Sequence, residues 1–295
     1  MKVSFLVVLY GRKPSDSTTI KTLINNQDIL RESEIVVWNN GPTPLPLSEY
    51  RFMTEAGLHV SVAETVSNIP LSWLYNKYIE RCDSDYFVIL DHDSVLTPHY
   101  LSDVMSANHP GVAVPAVSCN GKMHSPKAKP AGKGKSVFSL GPFSKQDRVR
   151  AIGSGVVISR AMAQALIARF GSVFDPAFAF YGVDTSLFVR LHTLGQTDAI
   201  RVIGGIEHSL SDFEQESPQV KRFRYSEQSK DLGLRLRHYP KRHRTISLLW
   251  SLLRARLGLT RMDARELWKA YRNGHHDRCN ASNQAAVDAV VIQPL

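Results

Sequence analysis

Two carboxylates follow one apolar run early in the sequence. Asp91 and Asp93 come directly after residues 87–90 and are separated by a single residue. Carboxylate oxygens bind hard cations such as Mn²⁺ or Mg²⁺, which retain several waters and also bind substrate phosphates. Asp also ends many strands in simple surface turns. Two acids at the end of an internal strand favour a site for a metal and a diphosphate.

A third acid, Asp184, follows the aromatic stretch 178–181, where the pattern predicts the start of a helix. Aromatic surroundings would raise the pKa of a carboxyl group and suit it to act as a general base. Asp is equally common as a helix N-cap, because its oxygen accepts an unpaired backbone N–H. Composition leaves both roles open. His208 is a possible further metal ligand, or a histidine with a structural role only.

The elements around these acids alternate between short apolar runs and amphipathic stretches. The predicted strands are 3–9, 35–38, 59–62 and 86–90, and the predicted helices are 17–29, 70–81 and 185–194. This succession predicts an α/β fold with a mostly parallel central sheet and helices on both faces. Ligands of such sheets bind beyond the carboxyl ends of the strands. Tyr10, Asn39 and Asp91 lie at such ends.

Residues 119–146 are rich in Gly, Pro, Ser and Lys, which predicts an exposed loop. After it, residues 151–160 predict a strand that leads into a helix ending near Phe170.

Several motifs along residues 1–215, taken together in their order, resemble family 2 glycosyltransferases of the Rossmann-like GT-A fold. The motifs are Val7-Val8-Leu9-Tyr10, Val36-Val37-Trp38-Asn39-Asn40-Gly41, Asn68 with Asn76, Leu90-Asp91-His92-Asp93-Ser94, Gly153-Ser154-Gly155, Tyr181-Gly182-Val183-Asp184 and His208. The resemblance implies an inverting enzyme that transfers a sugar from a nucleotide-sugar donor to an acceptor.

The resemblance also implies roles for individual residues. Asp184 matches the catalytic base, and Val183 stands where the family commonly has Glu. Asp91 and Asp93 match the acids that bind Mn²⁺ or Mg²⁺, and His208 matches a histidine found in many members. The donor pocket is assigned to Tyr10, Asn39, Asn40, Asn68, Asn76 and Asp91, and the acceptor side to Ser154, Gly155 and Tyr181.

The choice of substrate follows from the finer resemblance. The motif around Asp91 and the later sequence His208-Ser209-Leu210 resemble the rhamnosyltransferase branch, which implies a donor such as dTDP-L-rhamnose. UDP-sugars, including UDP-galactofuranose, stay open. The implied acceptor is a saccharide or lipid-linked saccharide in the synthesis of cell-surface polysaccharide or lipopolysaccharide.

Composition narrows the class of protein. The 295 residues include three isolated cysteines, Cys82, Cys119 and Cys279, which predict neither a disulfide framework nor a thiolate zinc site. Isolated cysteines suit a reducing compartment, so we expect a cytoplasmic protein, with a peripheral position on the inner face of the cytoplasmic membrane as an open alternative. The first apolar run is too short to span a membrane and predicts a strand. The net charge of +9 is concentrated in residues 219–278, which hold 16 Lys and Arg against 5 Asp and Glu.

These observations predict three regions. Residues 1–215 form the GT-A catalytic domain, with a nucleotide-sugar half at 1–118 and an acceptor half at 148–215. Residues 216–278 form a basic helical extension, and residues 279–295 a flexible tail. A helix at 245–259 has one apolar face, formed by Ile246, Leu249, Trp250, Leu253 and Leu257. That face could lie on an anionic membrane, giving peripheral contact through 219–259, or pack on the catalytic domain.

Two other classes of function compete with the transferase. A nucleotidyltransferase would normally show a glycine-rich phosphate loop near the first strand, and only Gly11-Arg12-Lys13 is present. A basic module without catalysis would bind nucleic acid or a membrane through its Lys and Arg residues. The motifs lie in the nearly neutral body of the chain, which favours an enzyme with no specific nucleic-acid partner.

Overall fold

The computed structural model describes residues 1–106, 110–131, 135–208, 217–239 and 243–295, and it describes His208 in its backbone only. The strands are β1 (Val3–Leu9), β2 (Glu34–Asn39), β3 (His59–Glu64), β4 (Tyr86–Asp91), β5 (Ser94–Leu96), β6 (Val112–Cys119), β7 (Lys122–Ser125), β8 (Lys127–Lys129), β9 (Val137–Phe138), β10 (Arg148–Arg150), β11 (Val156–Ser159), β12 (Ile200–His208) and β13 (Gln293–Pro294). The helices are α1 (Thr18–Asn25), α2 (Arg51–Glu55), α3 (Leu71–Arg81), α4 (Pro98–Met105), α5 (Arg160–Phe170), α6 (Val183–Thr193), α7 (Pro218–His238), α8 (Arg244–Arg256), α9 (Ala264–Asn273) and α10 (Ala281–Ala289).

The main sheet has the order β13-β3-β2-β1-β4-β11-β6-β12-β5, and β7 pairs with β6. Strands β3, β2, β1 and β4 are parallel, as is the pair β12 and β6. Strand β11 runs antiparallel between β4 and β6. The carboxyl ends of β1, β2 and β4 therefore share one edge of the sheet, where the predicted site residues collect.

Both faces of the sheet are covered by apolar side chains. In β1, Leu6 and Val8 belong to one buried cluster, and Phe5 and Val7 belong to the other. Successive strand residues point to opposite faces, so a continuous apolar run is what a sheet buried on both sides requires. The predicted α/β fold class is confirmed, and the four predicted strands of the first half agree with β1 to β4 within two residues at each end.

Residues 119–146 differ from the predicted loop. They contain β7, β8 and β9, and β8 pairs with both β9 and β10 in a separate three-stranded sheet. These strands have two to four residues each, and frequent Gly and Pro separate them. Such short pieces carry too little apolar alternation to be recognised from sequence.

The C-terminal region also differs from its prediction. Residues 279–295, predicted as a flexible tail, contain α10 and the edge strand β13, which pairs antiparallel with β3. Val287 and Val290 are buried in the cluster that also contains Tyr78. The helix predicted at 245–259 is confirmed as α8. The described residues contain no helix that is long and apolar enough to cross a bilayer.

Candidate active site

The turn between β4 and β5 carries Asp91 and Asp93, and buried hydroxyl groups fix its backbone. The Asp91 N–H donates to Ser154 Oγ at 3.0 Å, and the hydroxyl groups of Ser154 and Ser94 hydrogen-bond at 2.8 Å. Thr19 Oγ1 donates to the Asp91 carbonyl at 2.6 Å and accepts the Ser94 N–H at 2.9 Å. The turn that presents both acids is therefore held from α1 on one side and from Ser154 on the other.

Asp184 is the second residue of α6, and Gly182 occupies the cap position with a φ of 87°. The Asp184 carboxylate accepts the N–H of the next residue, Thr185, at 2.6 Å. An N-cap side chain would instead accept an N–H two or three residues further on. The capping alternative for Asp184 is therefore wrong, and its carboxyl group is available for another role.

The environment of Asp184 brings the pKa of its carboxyl group close to neutral pH. Burial, together with the carboxylates of Asp231 and Asp91, raises the pKa of Asp184 to about 6, while the hydrogen bond from Thr185 opposes the rise. An ordinary Asp is fully ionised at neutral pH. Asp184 therefore exchanges its proton in the range where a general base works best.

Asp91 and Asp184 face the same pocket, which has a volume of about 220 Å³. Its walls are largely apolar and aromatic, and they are formed mainly by Tyr75, Phe174, Phe180, Tyr181 and Leu187. Burial, together with the charges of Asp91 and Asp184, raises the pKa of Tyr75 well above its ordinary value. The pocket thus brings one predicted metal-binding acid and the predicted base to a single cavity.

The predicted acceptor residues do not all reach this cavity. Tyr181 lines it, and so does Gly153, whereas Ser154 is buried beneath the Asp91 turn. Gly155 has a φ of 84°, and a Cβ there would lie 2.6 Å from Pro115 Cγ. The Gly155 N–H donates to the Ile89 carbonyl at 2.7 Å. Ser154 and Gly155 therefore stabilise the Asp91 turn and the wall behind the cavity. Gly153 and Tyr181 form part of the surface of the cavity itself.

The predicted donor residues Asn39 and Asn40 are buried, and their amide groups bind neighbouring loops. Asn39 Nδ2 donates to the Thr43 carbonyl and to Glu64 Oε2, each at 2.8 Å. Asn40 Oδ1 accepts from the Thr65 hydroxyl and from the Ile69 N–H, each at 3.0 Å. Both side chains hold the loops that follow β2 and β3.

The other predicted donor residues are spread along the same edge. Tyr10 is exposed at the carboxyl end of β1. Asn76, inside α3, donates to the Phe174 carbonyl and accepts the Phe174 N–H, both at 2.9 Å. Asn68 has a φ of 52°, and its Oδ1 accepts from Arg278 Nη1 at 3.3 Å. Asn76 thus positions a wall of the pocket, and Asn68 contacts the C-terminal region.

Sequence reasoning missed the contribution of α7 to this site. Asp231 Oδ1 accepts a hydrogen bond from Arg235 Nε at 2.8 Å, and Asp231 Oδ2 lies 2.8 Å from Arg235 Nη2. A Cβ on Gly182 would lie only 2.2 Å from Asp231 Oδ1. The Asp231 and Arg235 pair has the four-residue spacing of a helix surface pair, so the sequence alone gives no sign that it lies beside Asp184. The carboxylates of Asp231 and Asp184 also act electrostatically on the guanidinium group of the exposed residue Arg150.

Within the C-terminal region, a buried contact between a histidine and a glutamate joins α7 to the segment that follows α9. His276 Nε2 lies 3.0 Å from Glu227 Oε2, and hydrogen bonds from His276 and Lys230 hold the pKa of Glu227 at about 2, against the opposing effect of burial. The Arg278 guanidinium lies 5.8 Å from the centre of the Phe180 ring, in the wall of the pocket. A residue of the C-terminal region therefore contacts the wall of this pocket.

The donor set for a metal is formed by the two carboxylates of Asp91 and Asp93. Among the residues described with their side chains, no cluster of three His, Cys, Asp or Glu could hold a metal ion. His208 pairs with Ser94 across β12 and β5, and its side chain lies outside the described residues. Two carboxylates suit a hard cation that takes most of its ligands from water and phosphate.

Comparisons with known proteins concern the family and the fold. The sequence model of glycosyl transferase family 2 matches residues 4–163. A search of curated proteins found no match. The TarS 1–349 structure from S. aureus superposes with a TM-score of 0.50 at 14% identity, covering 94% of this chain and 93% of that one. The mannosyltransferase PcManGT from Pyrobaculum calidifontis, solved with GDP-Man and Mn²⁺, gives 0.49 at 15% identity, covering 97% and 85%.

Proposed function

We propose that this chain, which belongs to glycosyltransferase family 2, transfers a sugar from a nucleoside diphosphate donor to an acceptor hydroxyl with inversion at the anomeric carbon. The observation that carries this proposal is the pocket shared by Asp91 and Asp184, in which the pKa of Asp184 is about 6. An acid that exchanges a proton near neutral pH, facing an acid on the donor side, supplies what such a transfer needs.

The proposed reaction is a single displacement. The acceptor oxygen attacks the anomeric carbon and loses its proton to Asp184. The bond from that carbon to the diphosphate oxygen breaks on the opposite face, and the nucleoside diphosphate leaves with the electron pair. The apolar walls around Asp184, which include Phe174 and Phe180, exclude water that would compete with the acceptor.

Asp91 and Asp93 are the residues that would hold Mn²⁺ or Mg²⁺ beside the diphosphate, with His208 as a further candidate. A bound divalent ion neutralises negative charge on the leaving diphosphate. The chain itself contributes the fixed turn: Thr19 and Ser154 hold its backbone so that both carboxylates stay at the carboxyl end of β4.

The proposed donor surface runs from Tyr10 across the loops held by Asn39 and Asn40 towards Asn68. Tyr10 is exposed and can stack on a base, while the two buried asparagines keep the loops in place. The motif at Asp91 supports an L-rhamnosyl donor, and a UDP-sugar is the alternative. The acceptor would be a saccharide or lipid-linked saccharide in cell-surface polysaccharide synthesis.

Thermal unfolding with a panel of nucleotide-sugars tests this proposal. A donor that binds the folded state raises the unfolding temperature by mass action. We expect one donor to stabilise the protein in Mn²⁺ or Mg²⁺, and less in EDTA. Asp93→Asn should reduce that stabilisation. Equal stabilisation by all nucleotides, with no effect of metal or of Asp93→Asn, would contradict the proposed donor site.

We also propose that α8 brings the enzyme to an anionic membrane surface. Leu249, Trp250 and Leu253 are 61%, 57% and 47% exposed, so this face of α8 is open. Beside it, a groove of about 1060 Å³ between α7, α8 and α9 is lined by several cations and an aromatic residue, including Arg222, Arg256, Arg261, Arg265 and Trp268. An apolar helix face flanked by cations is typical of interfacial helices, each nearby cation contributing up to about 1 kcal/mol.

A separate nucleic-acid module is the weaker explanation for the basic region. Helix α7 supplies Asp231 next to Gly182 in the active site, and Arg278 contacts Asn68 on the donor side. Six of the sixteen Lys and Arg residues of the extension lie on α7, the helix that also places Asp231 beside Asp184. This arrangement favours one enzyme with a basic surface.

A further inference from the structure

The three-stranded sheet of β8, β9 and β10 has one face covered entirely by cations and one aromatic ring. In its register Arg148 lies opposite Lys129, and Arg150 lies opposite Lys127. Directly opposite residues point to the same side of an antiparallel pair. Strand β9 adds Phe138 opposite Lys127, and the Lys127 ammonium lies 4.9 Å from the centre of that ring.

The two faces of this small sheet differ sharply. The residues between the cations, Ala128 and Val149, are buried in the main apolar cluster, whereas all four cations are exposed. None of the four forms an ion pair with any residue in the described ranges. Like charges placed directly opposite one another destabilise a sheet. Folding alone therefore gives no reason for this face, and an external anion would relieve the repulsion.

The cationic face, defined as Lys127, Lys129, Arg148 and Arg150, adjoins the active site. Strand β10 continues through Ala151 into residues 152–153, which line the pocket of Asp91 and Asp184. Arg150 is close enough to Asp184 and Asp231 to interact electrostatically with both carboxylates. A chain lying on this face would thus reach the proposed base at one end.

We infer that the acceptor is an anionic saccharide chain that binds along the cationic face and presents its hydroxyl to Asp184. Cations two residues apart on one strand are separated by roughly 7 Å, and those on paired strands by about 5 Å. This spacing suits a chain with repeated anionic groups, since each guanidinium can bind a phosphate or carboxylate through two hydrogen bonds. The exposed Phe138 ring offers a stacking surface for a sugar.

Binding of a soluble polyanion tests this inference. The probe is inorganic polyphosphate, and neutral dextran is its uncharged counterpart. We expect the wild-type chain to bind polyphosphate with an affinity that falls steeply with salt, and to bind dextran at least ten-fold more weakly. Changing Lys127, Lys129, Arg148 and Arg150 to Gln together should weaken polyphosphate binding at least ten-fold.

The matched control removes four exposed cations that lie on α1, α2, α5 and β12, by changing Lys21, Arg51, Arg169 and Arg201 to Gln. It lowers the net charge equally and should leave polyphosphate binding within two-fold of wild type. If the cationic-face variant does not fold, the pair Lys129→Gln and Arg148→Gln, which removes one opposed pair only, should still weaken binding several-fold. Equal loss in both four-residue variants, or no loss in either, would overturn the inference.

Two further readouts separate the possible causes of failure. Since the acceptor role of this face depends on the sugar transfer proposed above, hydrolysis of the donor by the wild-type chain without acceptor is measured in parallel. Donor hydrolysis without polyphosphate binding would overturn the anionic acceptor and leave the transferase intact. Loss of binding to anionic lipid vesicles in the cationic-face variant, with polyphosphate binding unchanged, would make this face a membrane surface and would also overturn the inference.

Discussion

The ionisation of Asp184 links the stability of the protein to pH. Burial raises its pKa from 3.8 to about 6. A carboxyl group whose pKa is raised by folding stabilises the folded state when it is protonated, and this contribution is lost as the pH rises through the folded pKa. At pH 8 the folded protein therefore contains an ionised carboxylate in an unfavourable place.

Replacing Asp184 with Asn should accordingly stabilise the protein at pH 8. A shift of about two pKa units corresponds to about 3 kcal/mol, so the gain in unfolding free energy should approach that value at pH 8. It should disappear at pH 3.5, where the wild-type carboxyl group is largely protonated in both states. Urea unfolding of both proteins at the two pH values measures it. An equal effect at both pH values would show that the pKa of Asp184 is unshifted.

Asp231 should tune the base without touching the substrate. Its carboxylate raises the pKa of Asp184, and Asp231→Asn would also leave Arg235 without its partner. Both changes favour ionised Asp184, so the acidic limb of the kcat/KM profile should move to lower pH. The control is Asp263→Asn, because Asp263 caps α9 and Asn caps as well as Asp. An unmoved profile, or the same movement in Asp263→Asn, would remove Asp231 from this role.

At the scale of elements, the start of α6 depends on a glycine. Gly182 has a φ of 87°, and a Cβ there would lie 2.2 Å from Asp231 Oδ1 and 2.7 Å from Phe178 Cδ1. Gly182→Ala should therefore separate α6 from α7, and we expect a loss of more than about 2 kcal/mol in stability together with most of the activity.

Gly195→Ala is the matched control for that substitution. Gly195 has a φ of 72°, and no atom lies within 4 Å of a Cβ placed there. The control adds the strain of a left-handed backbone without the steric clash. That strain lowers the free energy of unfolding by about 1 kcal/mol. Urea unfolding of the two variants separates strain from contact. Equal losses would mean that the contact between α6 and α7 contributes little.

Helix α8 gives the second prediction at this scale. Changing Trp250 and Leu253 to Ala should reduce co-sedimentation with anionic vesicles at least five-fold, because both exposed side chains would enter the lipid interface. Binding of the wild-type chain should weaken with salt. The control is Ile167→Ala, an exposed apolar residue on α5. Unchanged sedimentation of the α8 variant would contradict the proposed membrane contact.

At the scale of the whole molecule, the parts that sequence reasoning predicted well are those set by local pattern. The parallel strands are buried on both faces, so β1 to β4 have continuous apolar sequences that predict them well. Asp91 and Asp93 stand out because they follow one of these apolar sequences. The predicted start of a helix near Asp184 agrees with α6, in which Asp184 is the second residue.

The parts that the sequence did not predict depend on contacts between distant segments. Asp231 lies beside the start of α6 because α7 packs against Gly182, and β13 joins the sheet through only two residue pairs. The cationic face arises from the register of strands three residues long. None of these contacts leaves a periodic signal in its own segment.

The central claim is that Asp184 accepts the proton of the acceptor in an inverting transfer, and one variant tests it most directly. Asp184→Asn keeps the size of the side chain and its hydrogen bond to Thr185, but it cannot take the proton. We expect donor affinity, measured by thermal unfolding, to stay unchanged while kcat falls at least about 100-fold. A kcat near that of the wild type, with the same donor affinity, would contradict the claim.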